Sequence, residues 1–196
     1  MSTPRAFVAG LHLRWDGVRQ RPHHLLTRIA RNVPVFVVEE PLAAARDHDE
    51  VRRDGAVTVI RPLRTRGWSL PLIDETAVAT ARSLLGPGPA GVWLYTPMMD
   101  ALAAAFEAAP LVYDVMDELA HFDFAPPGIA EHEREVLTRA DLVFAGGRSL
   151  HAKRAGLGLT AKLRCEPSGV ELERFAADVA PHPLPAALRG PVFGYV

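Results

Sequence analysis

The alternation of short apolar runs with amphipathic segments predicts an α/β fold, a Rossmann-like parallel sheet with helices on both faces. Two further observations support it. The segments richest in polar chemistry fall just after apolar runs, where open parallel sheets gather their ligands. The last six residues, Pro191 to Val196, also open another apolar run. The expected organisation is therefore one Rossmann-like domain over 1–175, a linker rich in Ala and Pro over 176–190, and the first strand of a second domain over 191–196.

The first apolar run, Ala6 to Gly10, is expected to be a strand, followed by an Arg-rich loop and a helix with Pro22 in its first turn. Leu25, Leu26 and Ile29 give that helix one apolar face. Further strands are expected at 33–38 and 56–60, with the charged segment 46–54 between them as a solvated loop. Asp74 is placed to cap a helix running through Leu85, and Gly86-Pro87-Gly88-Pro89 forces a turn after it. Strands over 91–95, 111–115, 141–145 and 163–167 follow, interleaved with helices over 98–108, 129–139 and about 149–155.

The composition excludes several classes. In 196 residues the apolar fraction is 48%, the charged fraction 23% and the formal net charge −1, ordinary for a globular protein. A general nucleic-acid-binding surface is not expected. Basic residues are nearly all Arg, with Lys153 and Lys162 the only lysines. Cys165 stands alone, so no intramolecular disulfide can form. Neither a signal peptide nor a membrane-spanning run is legible. G-x-G-x-x-G after the first strand, a phosphate-binding G-x-x-x-x-G-K-[ST] loop, a G-x-S-x-G elbow and Cys/His metal spacing are all missing.

Four segments could carry chemistry. Arg14-Trp15-Asp16-Gly17-Val18-Arg19-Gln20-Arg21-Pro22-His23-His24 joins three arginines and a glutamine to a helix N-terminus, an arrangement that can hold an anion. An exposed charged loop is the plain alternative. Tyr113-Asp114-Val115-Met116-Asp117-Glu118 ends a strand in carboxylates that can accept sugar hydroxyls or act as a base. An Asp that caps a helix or pairs with Arg is the alternative there. Gly146-Gly147-Arg148-Ser149 lets backbone approach a ligand closely, or is a simple turn capped by Ser149. Pro167-Ser168-Gly169-Val170-Glu171 contains a glycine that could need positive φ.

Together these segments resemble bacterial retaining glycosyltransferases of family 4. The residues carrying the resemblance are Trp15 to Leu25, matching W-D-G-V-x-Q-R-P-H-H-L, and Tyr113 to Leu119, matching Y-D-V-M-D-E-L. Glu133 through Leu150 and the turn from Pro167 to Phe175 extend it along nearly the whole chain, in order. Many such relatives place a His at the end of the fifth strand, where Met116 or Asp117 stands here, and an Asp where Glu171 stands.

The resemblance implies the N-terminal half of a GT-B fold and transfer of a sugar from a nucleotide-sugar donor to a glycan or lipid-linked acceptor. It implies no cofactor and no metal; arginines and helix ends would offset the diphosphate charge. Asp114 and Asp117 would be the catalytic candidates on the acceptor side. Arg14, Trp15, Asp16, Arg19, Gln20, Arg21, His23 and His24 would face donor and acceptor, with Gly146, Gly147, Ser149, Gly169 and Glu171. A cytoplasmic setting follows, peripheral at the inner membrane if the acceptor is a lipid, and this half alone is expected to be inactive. A stand-alone carbohydrate- or nucleotide-binding module and a sugar-nucleotide epimerase domain are the other readings.

Overall fold

The computed structural model describes residues 4–66, 74–106, 110–173, 180, 190 and 191. The expected linker and final strand lie almost wholly outside the described residues. Among the described residues, nine strands form one sheet: β1 (Phe7–Leu11), β2 (Val35–Glu39), β3 (Leu42–Ala43), β4 (His48–Asp54), β5 (Val57–Arg64), β6 (Gly91–Leu94), β7 (Leu111–Val115), β8 (Leu142–Ala145) and β9 (Leu163–Cys165). The helices are α1 (Arg21–Ile29), α2 (Glu75–Leu85), α3 (Ala101–Ala105), α4 (Ile129–Arg139) and α5 (Arg148–Ala155).

The parallel strands run β5-β2-β1-β6-β7-β8-β9 across the sheet. The chain moves outward from β1 through β2 to β5, then crosses back to β6 on the other side of β1. The strand order reverses between β1 and β6, and the C-terminal ends of these two strands flank a crevice of the kind that holds ligands in such sheets.

Alternation along the strands builds two cores. Val8, Val92, Leu94, Tyr113, Val115 and Val143 point to one face, with Ala77 and Ala81 of α2 and Val136 and Leu137 of α4 packed among them. Ala9, Leu11, Val35, Val37, Trp93 and Tyr95 point to the other, where α1 contributes Leu26. Every residue of β2 is buried, as expected for a strand covered on both faces. Gly10 is required for close packing, because a Cβ there would lie 3.0 Å from Cβ of Met99 and 3.1 Å from Leu102.

Asp74 caps α2, its side chain accepting from the amide of Ala77 at 2.9 Å. The expected helix over 98–108 is instead a 3-10 turn, Pro97–Met99, followed by the short α3, because Asp100 bonds back to Pro97 at three-residue spacing.

The segment 46–54 is not a solvated loop. His48–Asp54 is a strand, antiparallel to β5 over Asp54↔Val57 to His48↔Leu63. Asp54-Gly55-Ala56-Val57 forms a two-residue hairpin with Gly55 at φ 57°, a conformation glycine adopts without strain. Charge at a sheet edge discourages pairing with another chain, so a polar strand fits there. The sheet is thus parallel with one antiparallel edge.

Candidate functional site

All four segments singled out in the sequence converge at the C-terminal edge of the sheet. Arg21, the first residue of α1, joins them. Its Nε donates to both oxygens of Asp114 at 2.9 and 3.0 Å, and its Nη1 donates to the carbonyl of Glu166 at 2.6 Å. The amide of Ser168 donates to the carbonyl of Gly146 at 3.4 Å. His24 Nδ1 lies 3.0 Å from Glu171 Oε1, and Arg28 reaches the same oxygen at 3.4 Å. A Cβ at Gly146 would lie 3.3 Å from the Val115 carbonyl and 3.4 Å from Met116 Cα, so this turn needs a glycine to seat β8 against β7.

The arrangement divides the expected site residues into two groups. Asp114 has no solvent exposure. Burial pushes its carboxyl up, and the Arg21 guanidinium draws it part of the way back. Trp93 Nε1 of β6 and the Oη of Tyr95, one residue past β6, also act on it, yet neither atom has a full hydrogen bond among the described residues. In this geometry Asp114 positions Arg21 rather than meeting solvent.

Trp15 and His23 are buried against each other, ring centroids 4.8 Å apart. His23 Nδ1 accepts from the Gln20 amide at 3.0 Å, which leaves the proton on Nε2, 3.3 Å from the Arg14 carbonyl. Burial pushes His23 down, favouring this neutral form. His23, expected to face donor and acceptor, is fully buried instead: its ring is an internal strut of the loop.

Arg14 is likewise engaged, donating to the Glu40 carbonyl and reaching Glu39 Oε2 at 3.4 Å. Glu39, fully buried, also accepts from the Trp15 amide at 2.8 Å and from Arg61 Nε at 2.7 Å. This carboxylate clamps the loop to the end of β2. Nothing in the local sequence announces it.

The other group faces solvent. Asp16, Arg19, Gln20, Ser149 and Gly169 are exposed, and Gly147 is half-buried with open space where a side chain would stand. Asp16 accepts from Arg61 at 2.9 Å, and that bond holds its carboxyl below the usual range. Among the described residues, Arg19 has no hydrogen-bond or ion-pair partner, and it stands just before the N-terminus of α1. Two turn expectations are corrected. Gly147, not Ser149, occupies the N-cap of α5, and no side chain bonds there. Gly169 is not among the glycines with positive φ.

Of the acidic cluster after β7, Glu118 pairs with Arg154 and lies 3.5 Å from Lys153. Arg154, itself buried, also holds Glu133 at 2.7 Å. Of Asp114, Asp117 and Glu118, Asp117 alone has no ion-pair partner among the described residues, and its charge acts on His12.

His12 and Glu40, which sequence reasoning missed, line the crevice between β1 and β6. The crevice encloses a cavity of about 140 Å³ bounded also by Thr96, Met98, Phe122 and Phe124. Burial pushes His12 down, while Asp117 and the Tyr95 main chain pull it the other way; its Nδ1 is buried without a hydrogen-bond partner among the described residues. Burial pushes the Glu40 carboxyl up to about 7, against a smaller opposing pull from Arg14. Phe122 and Phe124 stack at the rim, centroids 5.3 Å apart and planes 5° from parallel, with Phe124 82% exposed. A larger hollow of about 660 Å³ lies by the β4–β5 hairpin and the start of β2, at the N-terminal ends of the strands, away from all of these groups.

Among the described residues, Asp100, His132 and Glu135 bring potential metal-ligand atoms within 4.8 Å of one another. Arg139 already lies 3.4 Å from Asp100 there, and the cluster belongs to neither the crevice nor the loop site. Among the described residues, no helix is long and apolar enough to cross a membrane.

No family model and no curated protein matches the chain. Solved structures do. The Escherichia coli trehalose-6-phosphate protein bound with UDP-2-fluoro glucose is 10% identical with a TM-score of 0.57, over 92% of this chain and 52% of that one. An alpha,alpha-trehalose-phosphate synthase (UDP-forming) from Burkholderia vietnamiensis is 12% identical with a TM-score of 0.53, over 89% and 49%. The likeness is one of fold, the Rossmann-like half of a GT-B architecture, and the chain spans about half the length of these structures.

Proposed function

We propose that this chain is the acceptor-side half of a glycosyltransferase that moves a sugar from a nucleotide-sugar donor to a glycan or lipid-linked acceptor. The reading extends to a retaining enzyme of the family 4 kind, working in the cytoplasm and at the inner membrane surface where the acceptor is a lipid. One observation carries it. A sheet of GT-B architecture opens its switch-point crevice, lined by His12 and Glu40 and with the charge of Asp117 acting on His12, at the same edge where α1 and α5 present their N-termini. The E. coli neighbour, bound with UDP-2-fluoro glucose, supports a nucleotide-sugar donor.

On this reading Arg19 and the open backbone at Gly147 face the donor diphosphate. A guanidinium and helix N-termini offset its charge where a metal would otherwise be needed. Arg21 and Asp114 hold that edge rigid, and Asp117 borders the acceptor. Replacing Arg19 tests the loop without disturbing the frame, since Arg19 is exposed and has no partner among the described residues. In the protein carrying this chain together with its donor-binding half, Arg19→Ala is expected to lower turnover of UDP-glucose or another nucleotide sugar by about tenfold or more. Unchanged donor kinetics would remove the loop from the mechanism. Absence of turnover with every nucleotide sugar offered would reduce the chain to a binding module.

A further inference from the structure

We infer that the crevice between β1 and β6 takes a neutral, ring-shaped polyol as acceptor, stacked on Phe124 with a hydroxyl directed at Glu40, and rejects sugar phosphates. The inference rests on the transferase reading and specifies its acceptor.

Shape comes first. A cavity of about 140 Å³ is well below the size that encloses a drug-sized ligand, so it fits one ring or part of one. Its walls differ in character. Met98 and the phenylalanines are apolar, whereas His12, Glu40 and Thr96 offer polar atoms. A sugar or cyclitol ring has the same division, with C–H groups on its faces and hydroxyls around its edge. Phe124, 82% exposed and backed by Phe122, presents a flat apolar surface that has no packing role in either core.

Unmet hydrogen-bond capacity comes next. His12 Nδ1 is buried and has no hydrogen-bond partner among the described residues, a state that ordinarily calls for one. Among the described residues, the Glu40 carboxylate has no hydrogen-bond or ion-pair partner, although its main-chain carbonyl accepts from Arg14. Hydroxyls can donate to Glu40 and complete His12 in either tautomer.

Charge decides the class. No Lys or Arg lines the cavity. Arg14 is the nearest cation acting on Glu40, and it is already spent on Glu39 and the Glu40 carbonyl. Burial keeps His12 neutral, and Asp117 adds a second carboxylate beside it. A phosphate entering here would meet the Glu40 carboxylate in a wall without Lys or Arg, whereas a neutral ring meets acceptors for its hydroxyls.

The test is binding to the 196-residue chain at pH 8, by saturation-transfer NMR and calorimetry. The probes are myo-inositol, methyl α-glucoside, methyl α-mannoside and glucose 6-phosphate. At least one neutral probe is expected to bind, and Phe124→Ala to weaken it about fivefold, the size of one lost aromatic contact. Glu40→Gln should weaken it by about tenfold, as for loss of a hydrogen bond to a charged group. Glucose 6-phosphate should bind about tenfold more weakly than methyl α-glucoside, the scale of a like charge placed near a carboxylate. Equal or tighter binding of glucose 6-phosphate overturns the inference, as does neutral binding indifferent to both substitutions or no binding by any probe. The transferase reading is judged separately by donor turnover, which an enzyme with a phosphorylated acceptor would also pass.

Discussion

Asp114 and Glu40 are both carboxylates withdrawn from water near the C-terminal ends of β7 and β2, two strands separated by β1 and β6, yet their surroundings are opposite. Asp114 accepts through both oxygens from the Nε of Arg21, a residue 93 positions away. The Glu40 carboxyl has only a smaller opposing pull from Arg14, and burial pushes it up to about 7. Glu39, one residue earlier, belongs with Asp114: four donor contacts from Trp15, Arg14 and Arg61 reach it. Thus one group of buried charges is saturated and holds the loops, and another is left unsaturated beside an opening. Burying a polar group without a partner is costly, so groups left in that state are where a ligand has something to add.

The largest effect should come from breaking the saturated group. Asp114→Asn leaves the Arg21 guanidinium buried without its charge partner, and a loss of about 3 to 5 kcal/mol in urea unfolding is expected. Near-native stability in this variant would mean that the pair does not frame the edge.

Glu40→Gln should act in the opposite direction. The folded chain binds the Glu40 proton more tightly than an unfolded chain, whose carboxyl titrates near 4.5. Stability from this group is therefore complete below about pH 4.5 and declines as pH rises toward 7. The substitution removes that decline. Variant and parent should match at pH 4, with the variant ahead by on the order of 2 to 3 kcal/mol at pH 8. Equal stability at both pH values would place Glu40 in water.

A smaller effect sharpens the contrast between fixed and open turns. Gly146→Ala presses on the Val115 carbonyl and Met116 Cα, so a cost of about 1 to 2 kcal/mol is expected, read as a lower thermal midpoint. Gly147→Ala has open space and an extended φ of −167°, and should be nearly neutral.

Much of this architecture was legible in the residues. The strand over 111–115 and the helix over 129–139 match observed elements residue for residue, because each is a continuous apolar or amphipathic run with clear stops. The hairpin of β4 was hidden by its charge, although Asp54-Gly55 ahead of an apolar run is a turn signal that could have revealed it. The site was legible as four loops at one edge. Which of their residues face inward was not, since Arg21 and Asp114, or Trp15 and Glu39, are joined only across the sheet.

The sequence by itself determined the alternation of strand and helix, the position of the polar loops after the strands, and the glycines at the turns. These follow from local periodicity and backbone freedom, which act over a few residues. Tertiary structure alone decided that His12 and Glu40 share a cavity while His23 and Asp114 are sealed. A side chain's exposure depends on which strands lie beside it, and strand order is set by contacts between residues far apart in the chain.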